Sequence, residues 1–242
     1  MSTDPELPPA PWSRSRPRRV PSKAPLTQDA IIETALAILD AEGLDGISMR
    51  RIAERLETGP ASLYQHIADK EELLEQLLDR VLGEVELPAP DPDDWQTPLK
   101  QMLRELRSVL AAHRDLAYVT LGRVPTGPNG LRGAETLLAI MRAGGVPSPI
   151  AAYAVDSLAL FVGSVVYEEA IQVQRMGDTG AEAEYFEGIR RYFAALPAER
   201  FPTLVAMVDD LTRHGDHEDE RFEFALDVQI RGIAALMAER ER

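Results

Sequence analysis

The 242-residue chain has no cysteine, which excludes disulfide bonds, thiolate metal sites and cysteine nucleophiles. It also lacks a run of about 20 uninterrupted apolar residues, the length that a membrane-spanning helix needs. The closest stretch, residues 150–167, carries Asp156 near its middle, so we predict a buried core helix there and no association with a membrane. The N-terminus has no apolar signal-peptide core, which predicts a cytoplasmic protein.

Patterns typical of strands and of common enzymes are missing as well. No alternation of apolar and polar residues is long enough for a strand, and there is no internal repeat. No glycine-rich phosphate loop, G-x-S-x-G or H-E-x-x-H motif occurs, so we predict no catalytic residue and no cofactor. Metal-binding side chains do cluster at His214, His217, Glu218 and Asp219, but they lie in a polar linker, where a solvated loop is expected and no metal site is predicted.

The spacing of the apolar residues predicts an all-α fold. Residues 86–94, rich in Pro and Asp, form the clearest break, which predicts one domain over residues 25–86 and a second over residues 87–242. The first domain has N-cap residues at Thr27, Ser48 and Asp69, a helix-ending Gly43, and predicted helices that include residues 28–42 and 61–66. The predicted helices of the second domain cover residues 95–113, 115–122, 128–143, 149–175, 181–196, 202–211 and 217–239.

The charge is unevenly distributed along the chain. A net charge of −14 argues against DNA binding if it is taken as a bulk property. Residues 1–24, however, are rich in Pro, Ser and Arg, and we predict a disordered basic arm there. Such an arm either lies along DNA or serves as a solubilising tail, and the composition leaves both open. Residues 47–66 are also locally positive, so the electrostatics permit DNA binding without establishing it.

Residues 50–70 have the pattern of two short helices around a tight turn, which is the form of a helix-turn-helix. The second helix is unusual because it contains no acid and is rich in hydrogen-bonding side chains. These side chains belong to Ser62, Tyr64, Gln65 and His66. A helix that only packs does not need four such groups in five positions, so this helix is a candidate for reading DNA.

Two late helices are apolar on more than one face. The last helix carries Phe224, Val228 and Leu236 outside its main apolar stripe, and residues 150–165 also have several apolar faces. A helix at the end of a chain is poorly placed to be surrounded by its own chain. We therefore predict a homodimer formed through a helical bundle, with a wide core helix in a monomer as the alternative.

Residues 27–85 resemble the DNA-binding domain of the TetR (tetracycline repressor) family of regulators. The family hallmark is Leu-Tyr-x-His, a small gap, Lys and a Leu-rich helix, and it stands here as Leu63-Tyr64-Gln65-His66, Lys70 and Leu73-Leu74. The rest of the chain is similar, more loosely, to the ligand-binding half of the tetracycline-repressor branch. That similarity is carried by Trp95, His113, the GVPSP turn and Phe222-Glu-Phe-Ala-Leu226.

The resemblance implies three helices with a helix-turn-helix, joined by a fourth helix to a larger ligand-binding and dimerisation domain. It implies a repressor that binds a palindromic operator on double-stranded DNA as a homodimer and is released by a small-molecule effector. The implied DNA-binding residues are Arg50, Ala61, Ser62, Tyr64, Gln65, His66 and Lys70. Arg50 would meet a phosphate or base edge, Lys70 would hold a phosphate, and the others would face the major groove. Packing roles for Tyr64 and His66 are the alternative.

The turn before the reading helix departs from the family pattern. Members usually carry Gly and then a small apolar residue directly after the position of Leu56, whereas this chain has Glu57 and Thr58, with Gly59 following. A residue other than Gly at a turn position that needs positive φ costs about 1 kcal/mol. We therefore expect a turn of slightly different shape.

Candidate effector-binding residues are the polar or aromatic ones on otherwise apolar helices of the second domain. They are Met102, His113, Tyr118, Met141, Tyr153, Asp156, Phe161 and Tyr167. Asp156 is the sharpest of them, because an acid within so apolar a helix should pair with an arginine, a ligand cation or the other subunit. Two other classes of function are kept as alternatives: a helical adaptor that binds proteins without an effector, and an enzyme with an unrecognised site.

Overall fold

The computed structural model describes residues 25–113, 115–176, 179–213 and 218–240. Every regular element in these ranges is a helix, so the predicted all-α fold is confirmed. The predicted arm, residues 1–24, lies outside the described residues, as do His214 and His217 of the cluster weighed as a metal site.

Short helices precede residue 86 and longer ones follow it. The first group consists of α1 Gln28–Glu42, a 3₁₀ turn Leu44–Gly46, α2 Met49–Arg55, α3 Pro60–Leu63 and α4 Lys70–Leu82. The second consists of α5 Gln96–Ala112, α6 Leu116–Thr120, α7 Pro128–Ala143, α8 Ser148–Met176, α9 Thr179–Ala194, α10 Pro202–Ala206, α11 Val208–Leu211 and α12 Glu218–Arg240. The helix predicted over residues 202–211 is divided in two at Met207.

The predicted capping residues of the N-terminal half are confirmed. Thr27, Ser48 and Asp69 each accept a hydrogen bond from the backbone N–H three residues further on, at 3.2, 3.2 and 2.9 Å. Gly43 has a φ of +76° and ends α1. Local chemistry therefore sets the start of α1, α2 and α4, and these helices pack around one apolar core.

The predicted reading helix is shorter than expected. It was predicted over residues 61–66, but α3 begins at Pro60 and ends at Leu63. Proline suits the first helical position because the N–H that it lacks has no partner there. Beyond Leu63, bonds between residues three apart tighten the chain, as in the bond from the His66 N–H to the Leu63 carbonyl at 2.9 Å.

The turn between α2 and α3 has positive φ at Glu57, at +49°. A residue other than Gly therefore occupies a position with positive φ, while the expected difference in the shape of the turn stays a prediction. Gly59, the nearby glycine, has a φ of −87° and does not need the freedom of a glycine. The backbone strain of positive φ is therefore at Glu57, and Gly59, with its negative φ, does not reduce that strain.

Helix α8 is the centre of the C-terminal half and packs against α5, α6, α7 and α12. By length and composition, Ser148–Gln174 meets the criteria for crossing a membrane, as core helices of soluble proteins also do. Its approach to α6 is especially close, because a Cβ added to Gly163 would lie 2.5 Å from Thr120 Oγ1. The contacts on several sides fit the predicted core helix, but the face that carries Tyr153, Asp156 and Leu160 is exposed in the single chain.

Helix α12 has one buried face and one exposed face. Its apolar stripe of Phe222, Leu226, Ile230 and Ile233 is buried against the rest of the chain. Phe224, by contrast, is 73% exposed, and Val228 and Leu236 are exposed as well. The two apolar faces seen in the sequence are therefore real, and one of them is uncovered in the single chain.

Candidate DNA-reading head and effector region

Two buried apolar residues hold the short helix α3 in place. Leu63, predicted to belong to the core, is fully buried, and Ile67 is 1% exposed. With these anchors turned inward, the polar residues around them face outward or lie at the rim. The predicted reading residues Ala61, Tyr64 and Gln65 are exposed, and Ser62 and His66 are half-buried. The helix-turn-helix thus presents a polar edge, as a helix that reads the major groove requires.

The arginines of α2 are held by acids of the same chain. The Arg50 side chain projects into solvent and donates to Glu54 at 2.9 Å, which raises the pKa of the Arg50 guanidinium. Arg51 and Arg55 both pair with Glu42, the latter at 3.4 Å. A phosphate that approaches these arginines therefore competes with carboxylates already in place.

The start of α4 is better prepared for an anion. Asp69 accepts from the Glu72 N–H at 2.9 Å while the Glu72 carboxylate accepts from the Ala68 N–H at 2.6 Å, which is a variant of the capping box with its second donor one residue before the cap. Lys70, the first residue of this helix, is exposed and has no ion pair among the described residues. A free ammonium beside a helix N-terminus suits a DNA phosphate.

His113 joins the two halves of the molecule. Its Nδ1 lies 3.0 Å from Asp40 Oδ1 on α1, and its Nε2 lies 3.2 Å from Glu84 Oε2 just after α4. Burial of the ring lowers its pKa, but hydrogen bonds to Glu84 and Asp40 outweigh that effect, so the pKa of His113 is raised. The structure places this predicted effector residue in a contact between the halves.

Helix α8 forms one aromatic pair with α6 and another with α12. Tyr118 and Tyr167 have ring centroids 5.4 Å apart, and Phe161 stacks on Phe222 at the same distance with an interplanar angle of 13°. The guanidinium of Arg107 lies 4.7 Å from the centre of the Phe222 ring. Three of the predicted effector residues, Tyr118, Phe161 and Tyr167, therefore belong to aromatic pairs.

Arg107 was not singled out from the sequence. It donates to Glu169 on α8 at 2.8 Å and to Asp219 on α12 at 2.6 Å, and its side chain is mostly buried. No local pattern indicated this triad, because its members lie 50 to 112 residues apart along the chain (Arg107–Asp219 at 112, Arg107–Glu169 at 62). The network fixes α5, α8 and α12 beside the aromatic pairs.

The other predicted effector residues lie apart from this aromatic group. Met102 and Met141 are buried core residues, and Tyr153 is largely exposed beside α12. Asp156 is exposed rather than enclosed by apolar helices, and it has no arginine partner among the described residues. A ligand cation and the other subunit therefore stay open as predicted partners of Asp156, on a face of α8 whose exposure periodicity did not reveal.

Two family profiles cover most of the chain. The one described as "Bacterial regulatory proteins, tetR family" matches residues 31–77, and the one described as "Tetracyclin repressor-like, C-terminal domain" matches residues 87–237. The chain belongs to the TetR family.

Relatives in this family include named repressors. The HTH-type transcriptional repressor DrrR1 of Streptomyces coeruleorubidus is 33% identical over 93% of this chain and 83% of its own length. Apo ActR from Streptomyces coelicolor is 44% identical, covers 90% of this chain and 99% of its own, and superposes with a TM-score of 0.82. ActR in complex with (S)-DNPA is also 44% identical, over 88% of this chain and 98% of its own, with a TM-score of 0.79.

Family membership settles the general function. As a TetR-family protein, the chain is a ligand-responsive DNA-binding transcriptional regulator. The family consists in general of transcription factors rather than enzymes. The resemblance seen at Leu63–His66 and Lys70 is therefore confirmed as a family relationship.

Proposed function

We propose that this TetR-family protein is a repressor that binds a palindromic operator as a homodimer and leaves it when a small molecule binds residues 87–242. The observation that carries the proposal is the polar edge at Tyr64 and Gln65, held on the fully buried Leu63. Such an edge can read bases only if it is rigid, and the buried anchor supplies that rigidity.

The chemistry of the edge suits base recognition. Gln65 can bond adenine through two hydrogen bonds, Ser62 can bond either kind of base, and Ala61 can contact a thymine methyl. Arg50 and Lys70 flank the edge and supply the positive charge for phosphates. Residues 25–86 therefore serve, in this proposal, as the DNA-reading domain.

A second copy of the chain covers the open face of α12. Tyr153 on α8 and Val228 and Leu236 on α12 line a groove between these two helices. An apolar groove on a regulator that reads two half-sites is the natural place for a twofold contact. In the dimer, the two reading edges would lie about 34–36 Å apart, one helical turn of DNA.

The effector binds, in this proposal, beside the aromatic pairs that α8 forms with α6 and with α12. Tyr118 is half-exposed there and stands against Tyr167, while Phe161 stacks on Phe222. Aromatic side chains favour a ligand with a flat aromatic face. ActR has been crystallised with (S)-DNPA and with actinorhodin, which makes these two compounds the first effectors to test.

The reading edge can be tested with a duplex selected by the full-length protein from a library of random palindromes. Tyr64→Ala and Gln65→Ala should each weaken binding of that duplex about 10- to 100-fold, the effect of losing one base contact. Tyr185→Ala is the matched control, because Tyr185 on α9 is 56% exposed and Tyr64 is 54% exposed. Wild-type affinity in both edge variants would contradict the assignment.

Release by an effector is measured on the same duplex. Adding (S)-DNPA or actinorhodin to the wild-type complex should release DNA with at least one compound, and Tyr118→Ala should weaken that response. If a broad panel of compounds leaves the complex intact, the ligand-gated part of the proposal fails.

A further inference from the structure

The start of helix α7 is capped by a side chain from another helix. Gly127 stands at its N-cap position and has no side chain to offer. Instead, Oδ1 of Asp79 on α4 accepts hydrogen bonds from the backbone N–H groups of Asn129 at 3.0 Å and Gly130 at 2.9 Å. A carboxylate at a helix N-terminus satisfies free N–H groups and suits the helix dipole. The cap of α7 is therefore built into α4.

The contact is reciprocal. The side-chain Nδ2 of Asn129 donates to the Asp79 carbonyl oxygen at 3.0 Å and to Asp79 Oδ2 at 3.3 Å. All four hydrogen bonds are partly buried, and they join residues about 50 positions apart in the chain. Neither helix can slide along the other without breaking several of these bonds together.

Two glycines make this close approach possible. A Cβ added to Gly127 would lie 2.3 Å from the Asp79 carboxyl group, and one added to Gly83 would lie 2.9 Å from Asn129 Nδ2. Both distances are too short for real atoms, so a side chain at either position would have to displace the Asp79 carboxyl group or the Asn129 amide from the contact. The packing of α4 on α7 thus depends on an absence of side chains at the contact.

The segment before α7 holds the other part of α4. Arg123 pairs with Glu71 and also with Glu75 at 3.5 Å, both in the first two turns of α4. Residues 123–130 therefore bind α4 at two places. Arg123 pairs with acids near the start of α4, and the N–H groups of Asn129 and Gly130 bind Asp79 near the end of α4. Lys70, a predicted phosphate-binding residue, is the first residue of α4, so the contact of Arg123 with Glu71 lies beside the reading head.

We propose that α4 and residues 123–130 move as one unit, and that Asp79 is the positioning residue that ties the orientation of the reading head to α7. The inference rests on the proposed function, because it concerns how a change in residues 87–242 reaches the DNA-binding half. Two sites are coupled only if an element between them has arrangements that both sites favour differently. The unit formed by α4 and residues 123–130 can act as such an element, because DNA that fixes α4 also fixes the start of α7 through the four bonds, and a shift of α7 carries α4 with it.

The coupling can be measured by hydrogen–deuterium exchange of full-length protein, free and bound to its selected duplex. Operator binding should slow exchange at the start of α7, residues 128–133, at least threefold in wild type. In Asp79→Ala, that start should exchange about fivefold faster in the free protein, the effect of losing a cap, and operator should no longer slow it.

The matched control is Asp94→Ala, which removes an acidic cap whose hydrogen bonds to Thr97 stay at the start of one helix, α5. Asp94 accepts from the Thr97 N–H at 3.2 Å and from its hydroxyl at 2.6 Å at the start of α5. Asp94→Ala should lower the melting temperature by about 2–4 °C, as Asp79→Ala should. Operator binding should still slow exchange at the start of α7 in Asp94→Ala. Asn129→Ala leaves the carboxylate cap in place, so operator binding should slow exchange at the start of α7 less than in wild type but still measurably. This variant replaces Asp79→Ala in the test if Asp79→Ala does not fold.

The outcomes separate the two proposals. A wild-type protein that binds no duplex overturns the proposed function and this inference with it. A wild type that binds DNA without any change at α7, or Asp79→Ala and Asn129→Ala variants that keep the full wild-type change, overturns this inference alone.

Discussion

The two halves of the molecule differ in how much apolar surface they leave open. Among the described residues up to 86, Tyr64 is the one large hydrophobic side chain that is well exposed, and it lies on the proposed reading edge. All the other well-exposed ones follow residue 117, including Phe224 and Leu236 on the last helix. The N-terminal half thus buries its large apolar side chains apart from Tyr64, whereas the C-terminal half leaves an apolar surface exposed to solvent. The difference agrees with the proposed dimer, in which a second subunit covers the open face of α12.

The largest effect that we expect comes from placing a charge on the uncovered face. Leu236→Asp should weaken dimerisation at least 100-fold, because an unpaired carboxylate would be buried between two subunits. Sedimentation equilibrium at micromolar concentration measures this shift. Leu131→Asp is the control, since Leu131 on α7 is 56% exposed and Leu236 is 50% exposed. A Leu236→Asp protein that remains a dimer would contradict the interpretation that the exposed apolar face of α12 is the dimer interface.

A smaller effect is expected at the polar contact that joins the halves. The raised pKa of His113 means that its imidazolium is favoured in the folded state by Glu84 and Asp40, despite the opposing effect of burial. This contribution to stability is complete below the ordinary histidine pKa of about 6.5 and is lost as the pH rises through the raised value.

The free energy involved is about 1 kcal/mol, which corresponds to roughly 2–4 °C in melting temperature. Melting curves at pH 6 and pH 9 should show a larger drop in wild type than in His113→Gln. His66→Gln, on the reading head, should keep the wild-type drop. Equal drops in wild type and His113→Gln would show that the joint between the halves is not sensitive to pH.

The smallest effect concerns the turn of the reading head. Glu57→Gly should stabilise the protein by up to about 1 kcal/mol, since glycine adopts the φ of +49° without strain. Gly59→Ala should also stabilise it slightly, about 0.4–1 kcal/mol, because φ there is −87° and no atom lies within 4 Å of an added Cβ. Gly43→Ala, at φ +76°, should destabilise it. Urea unfolding compares the three, and a loss of stability in Glu57→Gly would contradict the account of the turn.

Features set by nearby residues could be predicted from the sequence. The caps at Thr27, Ser48 and Asp69 depend on a backbone N–H three positions away, and the bounds of α7, Pro128–Ala143, follow from a proline and a glycine at its ends. The positive φ at Glu57 was likewise visible as a departure from the pattern of the family.

Features that depend on distant parts of the chain could not be predicted. Asp79 looks like a solvent-facing residue of α4, and only the fold brings α7 to it. Asp156 looked enclosed because its neighbours are apolar, yet the open side of α8 exposes it. The early end of α3 depends on how Leu63 fits into the core, which periodicity alone does not describe.

The carboxylates that hold the arginines of α2 also affect how DNA binding responds to salt. Each phosphate that a protein neutralises releases about 0.9 condensed cation from duplex DNA, and this release makes affinity fall as salt rises. When a phosphate takes Arg50 from Glu54, or Arg51 from Glu42, the freed carboxylate attracts a cation of its own. The net number of cations released on DNA binding is therefore smaller than the number of phosphate contacts predicts. The affinity of this acidic regulator for its operator should therefore vary less steeply with ionic strength than its number of phosphate contacts alone would give.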